Sequence, residues 1–227
     1  MARVFGILTS PRATYAEVAV RPRWLGILAI VMAVTALGWG AFLSTTVGQE
    51  ALLDQQVRQA ESFGRPVNDA AYQRLQQFVP YAGYFIACLQ LITQPVFALI
   101  VAGVLFGIFS AGLGGEATFR HVFSIVAHSG VVLILSLLFV LPLDYARGTL
   151  ASPTSLAVFA PVLDENTFAA RLLGSIDLFL VWWMVSLAIG LGVLYKRRTA
   201  PIATTMLVTY GAIGLVIAAV RSALAGA

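Results

Sequence analysis

The stretch LLGSIDLFLVWWMVSLAIGLGVLYKRR, residues 172–198, decides the fold class. A helix needs about 20 apolar residues, rising about 1.5 Å each, to cross a hydrocarbon core roughly 30 Å thick, and this run supplies them. Three consecutive cations, Lys196, Arg197 and Arg198, end it, and one acid, Asp177, lies inside it. An ionised carboxylate toward the bilayer centre costs about 2.5 kcal/mol or more. The sequence therefore demands a partner for Asp177.

Composition extends the same reading to the whole chain. Of 227 residues, 59% are hydrophobic and only 11% charged, with mean hydropathy +0.90. A soluble domain devotes about a quarter of its residues to charge. This much apolar surface cannot be hidden in one small globule, so most of it is expected to face lipid. The isoelectric point near 9.6 does not point to nucleic acid, because the cations flank apolar runs and orient them in a membrane. The lone Cys88 allows no internal disulfide and reads as a small buried hydrophobe. The first apolar run lacks a small-x-small cleavage site, so it is expected to be a retained anchor.

Five runs satisfy the length rule: 24–43, 81–110, 122–143, 172–195 and 202–220. Helices are required because lipid offers the backbone no hydrogen-bond partners. The expected fold is an all-α membrane protein, a five-transmembrane-helix bundle with short amphipathic helices in the N-terminal tail and the first outer loop. Residues 1–23 form the tail, 24–222 a single membrane domain and 44–80 an outer helical cap. The overlong second run predicts tilt or a kink near Pro95.

Cation density sets the orientation. Arg3, Arg12, Arg21, Arg23, Arg120, Lys196, Arg197 and Arg198 crowd one side in short segments. On the other side, Arg58, Arg65, Arg74, Arg147, Arg171 and Arg221 are spread out and mixed with acids. The dense side is expected to be cytoplasmic. Five spans then leave the N-terminus inside and the C-terminus outside.

The flanking pieces carry their own signals. Ser10 followed by Pro11 predicts a short helix through about Val20. In the first outer connection Leu53, Val57 and Ala60 share one helical face, and Gly64 with Pro66 ends that helix. A second short helix is expected from about Asn68, with Tyr72, Leu75 and Val79 along one side. Asn166 reads as the start of the fourth helix.

Chemistry in the spans is sparse. Asp177, at the outer end of the fourth run, has Arg147 and Tyr145 as expected partners, and a polar pin between helices is favoured over an ion, proton or substrate contact. His128, in the third run, is expected to hydrogen-bond Gln94 at a similar depth; Gln90 adds a second amide. A proton relay through imidazole is the sharper alternative. His121 and His128 are about 10 Å apart along a helix, too far to share one metal. No cofactor is implied. Gly103, Gly107 and Ala111 form a small-xxx-small stripe that lets another helix approach closely. No nucleophile elbow, zinc motif or paired intramembrane acids are present, so an enzyme is not expected.

Four blocks carry a family resemblance: ILTSPRATYAEVAVRPRWLGIL, GGEATFRHVFSIVAHSG, PLDYARGTLASPTSLAVF and SIDLFLVWWMVSLAIGLGVLYKRR. In that order they resemble bacterial members of the Yip (Yip-one, Ypt/Rab-interacting protein) family. The resemblance implies five spans, a cytoplasmic N-terminus and, for eukaryotic members, contacts with prenylated Rab GTPases and with one another. This chain has a 23-residue tail without the family's Asp-Leu-Tyr-Gly-Pro motif, so GTPase binding is not expected to carry over. The resemblance assigns no catalytic role to Asp177, Leu178, Phe179, Trp182 or His128. A non-enzymatic membrane-organising or protein-interaction module of the bacterial inner membrane is therefore expected. It would embed in the lipid bilayer and form a homo- or hetero-oligomer with other membrane proteins. The alternative is a small transporter, channel or lipid-moving protein that uses Asp177 and His128.

Overall fold

The computed structural model describes residues 2–163 and 167–225. Among these, the regular structure is helical: α1 (Ala2–Thr9), α2 (Pro11–Val20), α3 (Leu25–Leu43), α4 (Thr46–Ser62), α5 (Asp69–Phe106), α6 (Phe119–Ser129), α7 (Val131–Arg147), α8 (Phe168–Gly174), α9 (Leu178–Leu194) and α10 (Thr199–Ala225). Four segments are long and apolar enough to cross a membrane: Leu25–Leu43, Asp69–Ser110, Phe119–Arg147 and Thr199–Ala223. The equally apolar α9 has 17 residues. It is shorter than each of those four segments.

Local chemistry explains the boundaries. Pro11 opens α2 at its first position, where a missing N–H costs nothing. The Ser10 side chain makes no capping bond there. Thr45 caps α4, its hydroxyl accepting from the Gly48 N–H at 3.0 Å. Gly64 follows α4 with φ near +69°, a left-handed conformation that glycine adopts without a Cβ penalty. Asn68 begins the next helix as expected, its Oδ1 accepting from the Ala71 N–H at 2.9 Å.

That helix differs from the sequence reading. No separate short helix ends before Tyr81; α5 runs unbroken through Pro80 and Pro95 for 38 residues. Each proline removes one N–H, and the apolar helix on either side maintains the ladder. At its end the backbone widens into a π-helical turn, Gly107–Gly112. Cys88, expected inside a core, is exposed on α5. The third run is divided at Gly130 between α6 and α7.

The fourth run is also broken. The helix expected over 172–195 stops at Gly174, and α9 begins at Leu178. Between them, Ser155 and Asp177 form an isolated antiparallel bridge. The Leu156 N–H donates to Ile176 O at 2.9 Å and the Leu178 N–H to Thr154 O at 3.0 Å. Loop backbone thus satisfies groups that a continuous helix would have satisfied itself. Asn166 lies outside the described residues; the cap observed on α8 is Thr167, which accepts from the Ala170 N–H at 3.2 Å.

The chain divides into two compact units. The first comprises Met1–Thr35, Leu89–Ser136 and Phe179–Val208. Its core is α6, on which every residue from Val122 to Ser129 is buried, and against which α1 and α2 pack. The second comprises Ala36–Cys88, Leu137–Leu178 and Thr209–Ala227. Phe42, Leu43, Leu52 and Ala82 form its core, joined by Trp39, Ile86, Leu141 and Leu150.

Candidate functional site

Two polar groupings stand out, one in each unit. The second unit holds Asp177 in the gap between α8 and α9. Gly174 and Ser175 end α8, and Asp177 occupies the position just before the first residue of α9. A carboxylate is favoured there, because the first N–H groups of a helix lack intrahelical partners and its N-terminal end is electropositive. Thr154 and Ser152 donate their hydroxyls to Asp177 Oδ2 at 2.5 and 2.9 Å. The Asp177 N–H donates to Tyr210 Oη at 3.1 Å, and Tyr210 in turn donates to Ser175 O at 2.8 Å. Thr154 and Ser155 are buried. The acid in the opening stretch therefore marks a helix start, tied down by a loop and by α10.

Arg147 and Tyr145 take other roles. Arg147 Nη1 donates to Ala151 O at 3.3 Å, bracing the same loop, and Tyr145 is exposed. The hydroxyl donors come from the loop between α7 and α8.

Sequence reasoning also missed Asp144. Its side chain is 2% exposed, and Oδ1 has no hydrogen-bond partner. Its position at the end of an apolar helix, four residues before Gly148, resembled an exposed helix terminus.

In the first unit, His128 is 3% exposed, and its Nδ1–H donates to Ser124 O at 2.7 Å, one turn back on α6. That bond assigns the proton to Nδ1 in the neutral ring. The expected bond to Gln94 is not formed; Gln94 and Gln90 are half-buried on α5. An acceptor within its own helix was nearer than an amide on another. One turn of polar residues continues the pattern, with Trp183 Nε1 donating to Ser129 Oγ at 2.9 Å and Ser129 donating to Val126 O at 2.8 Å. His121 Nδ1 lies 2.7 Å from Thr118 Oγ1. Among the described residues, no three His, Cys, Asp or Glu side chains come together to hold a metal ion.

The tail supplies a residue that the sequence did not single out. Tyr15 on α2 is fully buried, with its hydroxyl 2.8 Å from Ser186 Oγ on α9. It fits because Gly190 has no side chain: a Cβ there would lie 2.5 Å from Ile125 Cγ2 and 3.1 Å from the Tyr15 ring. Burial pushes the Tyr15 phenol well above its ordinary pKa, with the Ser186 bond opposing the rise. The tail is thus a packed part of the first unit.

The small-residue stripe behaves differently. A Cβ added at Gly103 or at Gly107 would meet nothing within 4 Å. Among the described residues, nothing packs on these two positions. The Ala111 side chain lies outside the described residues.

These blocks, in this order on apolar helices, match one family model, the Yip1 domain, over residues 5–221. The chain belongs to the Yip1 domain family. No curated protein and no solved structure matches it. Membership in the Yip1 domain family, with several helices able to span a bilayer, makes this a multi-pass membrane protein.

Proposed function

We propose that this Yip1-domain protein is a non-enzymatic interaction or organising module of the bacterial inner membrane. It crosses the bilayer five times, with the N-terminus inside and the C-terminus outside. As the fifth span, α9 would reach about 25 Å, at the short end of the workable range of about 17–25 residues.

The observation that carries this reading is the open face of α5. Only 17% of the most apolar window of that segment is buried. Val104 and Ile100 are exposed beside the unfilled positions at Gly103 and Gly107. The two polar side chains that stand out in the spans are engaged within the chain, Asp177 by Ser152 and Thr154 and His128 by Ser124. Such an arrangement leaves packing rather than chemistry as the work of the exposed helix.

A Gly103→Cys variant in a Cys88→Ser background tests it. Oxidative crosslinking in native membranes is expected to give a discrete higher-mass species, either self-paired or joined to another membrane protein. A monomer at every oxidant concentration contradicts the reading.

One feature supports transport as a second reading. The backbone between Gly174 and Leu178 leaves helical geometry within an apolar run, and irregular backbone at membrane depth lines cavities in many transporters. Reconstituted flux that is lost on Asp177→Asn would favour it.

A further inference from the structure

The geometry points to the cleft between α1 and α2 as a seat for the phosphate headgroup of an anionic phospholipid. The two helices cross where Gly6 meets Thr14; a Cβ at Gly6 would collide with Thr14 Oγ1. Ile7, Thr14, Tyr15 and Val18 are buried, so the pair is held firmly in the first unit. Three residues before Gly6 stands Arg3; three after Thr14 stands Glu17. The antiparallel crossing brings them together, with Arg3 Nε 3.6 Å from Glu17 Oε2. Arg3 Nη1 also donates to Arg21 O at 3.3 Å, covering the carbonyl end of α2.

The resulting concavity, about 430 Å³, is lined by Arg3, Ala16, Glu17, Val20 and Arg21. Glu17 is engaged by Arg3, which leaves the exposed Arg21 guanidinium and the outer edge of Arg3 to meet an anion. Guanidinium groups match phosphate through paired N–H donors. Val20, 78% exposed, forms an apolar lip. The first apolar span begins at Leu25, only four residues past Arg21. The cleft therefore opens where headgroups end and hydrocarbon begins. Arg12, Arg23 and Arg120, all exposed in the same unit, add a field that attracts anionic lipid. A headgroup fits all three features at once: charge, apolar lip and position. A free phosphate fits only the first.

Lipid retention by the full-length purified chain, read by native mass spectrometry with added phosphatidylglycerol or phosphatidylcholine, tests the site. The wild-type chain is expected to hold phosphatidylglycerol in preference. Each cleft arginine removed should weaken retention about fivefold, so Arg3→Gln with Arg21→Gln falls by about 25-fold. Glu17→Gln removes the competing carboxylate and should strengthen retention a few-fold, a gain that misfolding cannot mimic. Arg12→Gln with Arg120→Gln removes the same charge outside the cleft and should cost less than the cleft pair. Equal losses from the two pairs, weaker retention by Glu17→Gln, or displacement by soluble glycerol phosphate at matched concentration would each overturn the proposal.

Discussion

Tyr15 Oη lies 2.8 Å from Ser186 Oγ across 171 positions of sequence, and both residues are buried. One bond thereby fastens the N-terminal tail to α9. Tyr15→Phe leaves the Ser186 hydroxyl in place without its partner, which should cost about 1–3 kcal/mol. Tyr15→Ala opens a cavity and should cost about 3–5 kcal/mol. Thermal unfolding in detergent measures both. The Tyr15→Phe/Ser186→Ala double variant should cost less than the sum of the two single changes.

The same contact predicts a pH dependence. Burial raises the phenol's pKa in the folded chain, so the folded state favours the neutral form. The unfolded phenol ionises near its usual value of about 10. This stabilisation is therefore complete below about pH 10 and declines as pH rises beyond it. Proteolytic release of the tail, followed from neutral to alkaline pH, should rise more steeply in the wild-type chain than in Tyr15→Phe.

Two glycines should separate folding from association. Gly190→Ala forces a methyl against Ile125 and the Tyr15 ring, which should destabilise the chain by about 1–3 kcal/mol and loosen the tail. Gly103→Leu meets open space, so unfolding should be nearly unchanged while crosslinking through a Gly107→Cys probe, in the Cys88→Ser background, is lost. Melting temperature and crosslinked yield, measured on both variants, read the two effects.

Asp177→Asn keeps an acceptor for Ser152 and Thr154 and is expected to be mild. Asp177→Leu removes the carboxylate that the buried Thr154 hydroxyl donates to and should cost about 1–3 kcal/mol in thermal unfolding. Equal effects would contradict a packing role for the carboxylate.

Asp144 should respond in the opposite sense. Its buried Oδ1 has no partner, so Asp144→Leu, of similar size, is expected to stabilise the chain by about 1–3 kcal/mol. A drop in melting temperature would show that the acid is paired in the membrane.

Much of the architecture was legible because it depends on local signals. Hydropathy marked the apolar runs, Pro11 opened α2, and Asn68 and Gly64 placed the boundaries around α4 and α5. The break at Gly174 was not legible, since Leu, Ile and Phe flank it and only a loop 20 residues upstream supplies the replacing bonds. Continuity through Pro80 was missed for the converse reason: proline is a local stop signal that a long apolar helix overrides. Of the site residues, Asp177 and His128 were found as polar atoms in apolar runs. Their partners Ser152, Thr154 and Ser124 were not, because small hydroxyls and backbone carbonyls leave no trace in hydropathy. Tyr15 and Asp144 were hidden similarly, as burial depends on residues distant in sequence.

Side-specific cysteine labelling in intact cells tests the five-span topology most directly. In a Cys88→Ser background, single cysteines are placed after Arg198 and at the C-terminus. With α9 and α10 both crossing, the first is expected to be shielded until the membrane is permeabilised, and the second to react from outside. Both reacting from one side would contradict the fifth span and the orientation built on it.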